Sequence, residues 1–143
     1  MRFQLALNVQ DLQQSIDYYS KMFNASPHKV KPGYANFAIN NPPLKLVLIE
    51  NDSASERINH LGVEVGQHED LNGIINRLDV LEMTDKKEQE TTCCYATQNK
   101  AWTLEPEGIR WEWYTITDDN PENAMPLKNG SCCVTVSSTD NCN

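Results

Sequence analysis

The chain is short of positive charge. Twelve lysines and arginines stand against 20 aspartates and glutamates, for a formal net charge of −8. A surface of that sign repels phosphate backbones and anionic headgroups, which argues against nucleic acid and membrane as partners. No apolar run approaches the roughly 20 residues of a membrane span, and the opening residues read as a strand, without the basic and apolar regions of a secretory signal. A disulfide framework is also missing. Such frameworks spread half-cystines through a chain, whereas the five cysteines here are Cys93-Cys94, Cys132-Cys133 and Cys142. That clustering predicts a cytoplasmic protein with reduced thiols.

What is present centres on Thr91-Thr92-Cys93-Cys94-Tyr95. Neighbouring Cα atoms sit about 3.8 Å apart, short of the roughly 4.4–6.8 Å that a disulfide spans. Cys93 and Cys94 are therefore better placed to grip one soft, thiol-seeking atom than to bond to each other. A single cysteine reads as core packing; an adjacent pair set among threonines fits that reading less well. Successive residues of a regular strand point to opposite faces. For both sulfurs to hold one atom, the backbone must leave strand geometry at 93–94, so a loop is expected there, one able to close over a cavity.

A chain of 143 residues fits one domain. Arg2 to Val9 reads as a strand, and Asp11 as the N-cap of a helix carrying Leu12, Ile16, Tyr19 and Phe23 on one face. Strands follow at Tyr34–Ile39 and Leu44–Ile49, then a polar linker at Asn51–Arg57. The pattern restarts with a strand at Ile58–Val65 and a helix at Glu69–Leu81. Further strands are expected at Glu88–Ala96, broken at the cysteines, at Lys100–Leu104 and at Ile109–Ile116. Gln4-Leu5-Ala6-Leu7-Asn8-Val9 lies over His60-Leu61-Gly62-Val63-Glu64-Val65 with apolar and polar slots matched. This is an internal repeat of a βαβββ unit, one copy over roughly 1–50 and one over 57–118. Residues 119–143 are polar and without period, and are expected to form a flexible, cysteine-containing tail.

Gln4 and His60 occupy the same slot of the two units, so a pseudo-twofold axis would turn both into one cavity. Glu112 lies between Trp111 and Trp113. If the tryptophans face the helices, Glu112 faces the concave side of the sheet, where a carboxylate needs a partner or a metal. A His, a carboxylate and an amide oxygen resemble the open three-ligand site of non-haem Fe(II) oxygenases, with Gln in place of one His. Alternatively His60 is a hydrogen-bonded structural residue and Glu112 pairs with Arg110 or a lysine. His28 and His68 read as solvated, and Trp102 as a wall of the same cavity.

These residues carry a resemblance. Leu7-Asn8-Val9, Ser15-Ile16-Asp17-Tyr18-Tyr19, Asn59-His60-Leu61-Gly62, Pro106-Glu107-Gly108 and Trp111-Glu112 resemble the vicinal oxygen chelate superfamily of glyoxalase I and the extradiol dioxygenases. The Thr91–Lys100 stretch is similar to the carbon–arsenic lyases within it, often found beside cadmium-induced proteins. The resemblance covers about the first 118 residues. It implies an α+β fold in which two βαβββ modules form a curved mixed sheet around a metal cavity. It also implies an Fe(II)-dependent dioxygenase that cleaves the carbon–arsenic bond of trivalent organoarsenicals, such as methylarsonous acid and reduced aromatic arsenicals, to give arsenite. Gln4, His60 and Glu112 would be the metal ligands and catalytic centre, with Ni, Mn or Co able to replace iron in the isolated protein. Cys93 and Cys94 would bind substrate, dioxygen would be the second reactant, and a homodimer is implied by superfamily habit. Two other readings stay open. A glyoxalase-like isomerase would need a fourth ligand, commonly a second carboxylate; Glu50 and Glu64 are the candidates, though neither sits in the equivalent slot, and this reading gives Cys93-Cys94 no role. A non-catalytic protein would sequester cadmium or arsenic through its thiols, and a structural zinc or a hand-over role for Cys132-Cys133 would involve the tail.

Overall fold

The computed structural model describes residues 1–122 and 124. Cys132, Cys133 and Cys142, and with them most of the expected tail, lie outside the described residues. The chain runs β1 (Arg2–Val9), α1 (Leu12–Phe23), β2 (Lys29–Lys31), β3 (Tyr34–Ile39), β4 (Leu44–Glu50), β5 (Ile58–Glu64), α2 (Leu71–Val80), β6 (Thr84–Cys93), β7 (Ala96–Leu104) and β8 (Arg110–Asp118). Each half is thus one βαβββ unit, as the repeat predicts. The three-residue β2 is too short to register in the sequence pattern and hides beside the Lys31-Pro32-Gly33 turn.

All eight strands join one sheet in the order β2-β3-β4-β1-β5-β8-β7-β6. The first strand of each unit pairs parallel with its last, β1 with β4 and β5 with β8, and the units meet where β1 and β5 run antiparallel. Across that seam Gln4 faces Gly62 and Ala6 faces His60. Gln4 and His60 are equivalent under the pseudo-twofold, and each lies opposite a residue too small to fill the space beside it.

The helices cover the convex side. Asp11 caps α1 by accepting from the Gln14 backbone N–H at 2.8 Å, and Asn24 ends it with φ 48°. Ile16, with Leu12, Tyr19 and Phe23, packs on Val9, Phe37, Leu46 and Leu48. Asp70 caps α2 through the Gly73 N–H, and Leu71 and Leu78 are its buried positions. The alternation that turns Ala35 and Phe37 toward α1 turns Tyr34 and Asn36 to the concave side. There Ala6, Tyr34, Val47, Ile49 and Tyr95 form a second cluster.

Candidate functional site

The concave side gathers all five residues singled out in the sequence. One small cavity of about 30 Å³ is lined by Gln4, His60, Glu112, Cys93 and Cys94, together with Tyr34, Lys45, Val47, Gln98 and Trp102. A larger open depression of about 870 Å³ lies between α2 and strands β6–β8. It contains none of these five residues, so size and chemistry point to different places, and the convergence of donors favours the smaller cavity.

Gln4 Nε2 stands 3.0 Å from both His60 Nε2 and Glu112 Oε2, and those two atoms are 3.4 Å apart. Three ligands on one face of an octahedral ion sit about 1.4 bond lengths from each other, so bonds near 2.1 Å require a spacing of about 3 Å. The observed triangle has that size. The amide's O and N exchange places by a half-turn of the side chain, which would bring an oxygen to the third corner. Among the described residues no three His, Cys, Asp or Glu side chains converge as a metal set, so a cation here depends on the Gln4 amide. Gly62 leaves the space open: a Cβ there would lie 3.0 Å from the Glu112 carbonyl oxygen and 3.3 Å from Gln4 Nε2.

A relay of amides orients the imidazole. The Glu56 carbonyl can only accept, so Asn8 donates Nδ2 to it at 2.8 Å and turns Oδ1 toward Asn59. Asn59 donates Nδ2 to that oxygen at 2.9 Å and presents its own Oδ1 to His60 Nδ1 at 2.7 Å. His60 must then carry its proton on Nδ1 and offer a bare Nε2 to the cavity.

Glu112 does not pair with Arg110. That guanidinium lies over the Trp102 ring at 4.2 Å, and the partner is Lys100, whose Nζ donates to Glu112 Oε1 at 3.0 Å. Burial pushes the Glu112 carboxyl up, but the Lys100 ammonium outweighs it and holds the group far below the usual carboxylate range. Burial likewise pulls the Lys100 ammonium down, and the charges of Glu112, Cys93 and Glu88 raise it above its ordinary value. The site therefore holds an ion pair with both members charged at neutral pH. Behind it, Glu64 accepts two bonds from Arg2 Nη2, at 2.9 and 3.1 Å, and one from Lys45 Nζ at 3.1 Å. Burial raises the Glu64 carboxyl, and Lys45 and Arg2 bring it below its ordinary value.

The cysteines sit where β6 turns into β7. Cys93 pairs with Ala96, which leaves Cys94 and Tyr95 as a two-residue hairpin loop with φ 51° and 63°. Positive φ at both positions is the type I′ form of a two-residue hairpin, so the strand is left at Cys94, as expected. The two sulfurs lie 3.6 Å apart. Cys94 is disulfide-bonded in this structure. This corrects the expectation of reduced thiols. Tyr95 fastens the loop to the other half of the chain. Its hydroxyl donates to the Pro32 carbonyl at 3.0 Å, its ring packs on Tyr34, and its carbonyl accepts from Lys29 Nζ at 3.0 Å.

Trp102 is a cavity wall, meeting the His60 ring edge-on at 5.2 Å. His68 is exposed, and His28 is half-exposed and pairs with Asp119 at 2.9 Å. Glu50 accepts from the Leu12 N–H, and neither it nor Glu64 lines the cavity, so no fourth carboxylate joins the triangle. Sequence reasoning missed Lys100 and Gln98, although period-two alternation from Trp102 places both on its face.

Comparison with known proteins identifies the family and the fold. The family model of the Glyoxalase/Bleomycin resistance protein/Dioxygenase superfamily matches residues 3–113. The cadmium-induced protein CadI of Mycobacterium tuberculosis is 55% identical over 119 residues, 83% of this chain and 78% of that protein. The trivalent organoarsenical cleaving enzyme of Thermomonospora curvata is 45% identical over 133 residues, 92% of this chain and 87% of that enzyme. A protein of the same name from Bacillus sp. is 39% identical, covering 91% and 81%. Methylmalonyl-CoA epimerase from M. tuberculosis, with a TM-score of 0.57 at 16% identity over 78% of this chain and 85% of its own, shares the fold.

Proposed function

Because the chain belongs to the Glyoxalase/Bleomycin resistance protein/Dioxygenase superfamily, we propose that it cleaves the carbon–arsenic bond of trivalent organoarsenicals as an Fe(II)-dependent dioxygenase. The observation that carries this reading is the joining of two features in one cavity: the Cys93-Cys94 pair and the Gln4–His60–Glu112 triangle. The relatives named as organoarsenical cleaving enzymes support it.

A monosubstituted trivalent arsenical carries one carbon and two exchangeable oxygens. Two thiols replace both oxygens, releasing two waters and leaving arsenic bonded to two sulfurs and the carbon. Bonds of about 2.3 Å from sulfur to a soft atom across the observed 3.6 Å gap give an angle near 100°, which suits a pyramidal trivalent centre. Cys94 has to be reduced first, so capture requires a reducing medium. The cavity of about 30 Å³ has room for little more than a water-sized occupant, so the Cys94-Tyr95 turn has to move outward to admit substrate.

Gln4, His60 and Glu112 would hold the iron, which when bound supplies the electrons and open positions needed to engage dioxygen. The chain's own residues do the placing. His60 presents a bare nitrogen, Lys100 keeps Glu112 ionised, and Trp102 and Tyr34 wall the cavity against water. Holding two reactants in one geometry lowers a barrier by up to about 7–11 kcal/mol in ideal cases. The products would be inorganic arsenite and an oxidised carbon fragment.

The test is dioxygen uptake and arsenite release from methylarsonous acid by the reduced, Fe(II)-loaded chain. Both are expected to vanish in the double variant Cys93→Ser, Cys94→Ser, and cleavage at the normal rate by that variant overturns the proposal. The likeness to CadI favours a second reading, in which the thiols bind a soft ion without turnover. Stoichiometric binding of methylarsonous acid with no oxygen uptake would establish it instead.

A further inference from the structure

We infer that Glu64, acting through Tyr114, decides which end of the Gln4 amide faces the cavity and thereby whether the triangle accepts a cation. The inference rests on the reading of Gln4, His60 and Glu112 as a divalent-cation site.

The Tyr114 hydroxyl is fully buried and has two neighbours. It lies 2.5 Å from Gln4 Oε1 and 3.1 Å from Glu64 Oε2. Both atoms are acceptors, and a hydroxyl has one proton. As Gln4 stands, Tyr114 serves one of them and leaves the other contact without a hydrogen. Inside the cavity the same arrangement is satisfied: the two Nε2 hydrogens go to His60 Nε2 and Glu112 Oε2, each at 3.0 Å. This is the orientation that a cation-free cavity needs, because it places N–H groups between two lone pairs.

A half-turn of the amide reverses both ends. Oε1 then faces the cavity beside a bare imidazole nitrogen and a carboxylate oxygen. Three lone pairs at about 3 Å repel one another in the absence of a cation and suit one when it arrives. At the other end Nε2 donates to the Tyr114 oxygen, and Tyr114 gives its proton to Glu64. The Gln4–Tyr114 and Tyr114–Glu64 contacts now each hold a hydrogen, and a cation would satisfy the three lone pairs in the cavity. Glu64 makes this direction the natural one, because it is locked as an acceptor by Arg2 and Lys45. Gln4 is thus a two-position ligand. Glu64 biases it toward the cation-binding position, and Tyr114 transmits the bias. Glu64 and Tyr114 are positioning residues, since neither lines the cavity.

Glu64→Gln tests this directly. A glutamine at 64 can donate to Tyr114, which then donates to Gln4 Oε1 and holds Nε2 in the cavity. The measurement is Co(II) affinity of the full, reduced chain, by calorimetry and visible absorption, with Glu112→Ala as the control that removes the site. Glu64→Gln is expected to weaken Co(II) binding about ten- to hundredfold, the range for outer-shell partners of metal ligands. In a Tyr114→Phe background the same change should cost less than about threefold, because the transmitter is gone. Equal loss in both backgrounds would mean that Glu64 acts only through its charge, and no loss in the wild-type background would mean that it does not act. Either overturns the inference while leaving the cation site standing. A wild-type chain whose Co(II) uptake is absent, or is unchanged by Glu112→Ala, overturns the cation site and this inference together. A measurement without substitution guards against misfolding. In chain labelled with 15N-glutamine, the Gln4 side-chain amide protons should show contacts to the His60 ring before Zn(II) is added and to the Tyr114 ring afterwards. Persistence of the His60 contacts in the Zn(II) form overturns the inference.

Discussion

Asn59 Oδ1 lies 2.7 Å from His60 Nδ1, and it accepts there because every other hydrogen bond of the relay from the Glu56 carbonyl is already committed. The relay therefore fixes the tautomer of a side chain one residue away. Without it, the buried ring is free to place its proton on Nε2 and close the corner of the triangle. Asn59→Ala is expected to reduce Co(II) affinity about ten- to hundredfold, and Asn8→Ala by less, since it removes a more distant link. An Asn59→Ala chain that binds Co(II) as tightly as wild type in calorimetry would show that the relay has no hold on His60.

Gly62 bridges the other two corners, paired with Gln4 across one edge of β5 and with Glu112 across the other. A methyl at this position meets the Glu112 carbonyl oxygen at 3.0 Å, and that oxygen belongs to backbone and cannot swing away. Gly62→Ala should cost about 1–3 kcal/mol of stability, as overpacking does, and weaken Co(II) binding by displacing Gln4. Denaturant melts and Co(II) titrations indistinguishable from wild type would show that the sheet yields more easily than its register suggests.

How much of this was legible in the sequence follows from what each signal carries. Period-two alternation sets a face, so Gln4, His60 and Glu112 were placed on one concave side once the repeat supplied the seam between β1 and β5. The adjacency of Cys93 and Cys94 demanded a break in the strand, and the break is the Cys94-Tyr95 turn. Alternation does not name a partner across strands far apart in the chain. Glu112 was open to Arg110 or any lysine, and only the β7–β8 register brings Lys100 to it. Tyr114 carried no signal of its own, and Asn59 entered only as part of the Asn59-His60-Leu61-Gly62 motif, because a tyrosine or asparagine in a strand is ordinary until its neighbours are known. The state of Cys94 was also beyond reach, since clustering of cysteines says nothing about which sulfur a given thiol meets.

The Lys100–Glu112 pair gives the chain a pH signature in the cation-free form. Glu112 titrates well below its unfolded value of 4.5, so its contribution to stability is fully present above that pH and is lost as pH falls through the folded value. In Lys100→Met, burial prevails and a nearly uncompensated carboxylate is left inside. That should cost about 3–5 kcal/mol at pH 7. The deficit should shrink toward pH 4.5, where the carboxyl can be protonated. Urea melts at the two pH values, with chelator present, decide it: a deficit of equal size at both would mean that Lys100 acts through packing alone.

The hairpin that carries the cysteines is strained and anchored at once. Positive φ at two non-glycine residues, Cys94 and Tyr95, costs about 1–3 kcal/mol each. Against that, Tyr95 is buried, packs on Tyr34 and donates to Pro32. A buried aromatic contributes about 1.5–3 kcal/mol and a hydrogen bond about 0.5–1.5. Tyr95→Asn removes both anchors while easing the backbone, because asparagine tolerates the left-handed region. The net loosening, about 1.5–2 kcal/mol, should speed amide exchange from Cys93 to Thr97 about ten- to thirtyfold while leaving β1 and β5 unchanged. In reducing buffer the loosened turn should also take up methylarsonous acid faster, because the closed cavity is too small for it. Exchange that quickens with no gain in uptake rate would mean that the substrate enters by another route, and unchanged exchange would mean that the loop is held by its neighbours on β6 and β7 rather than by Tyr95.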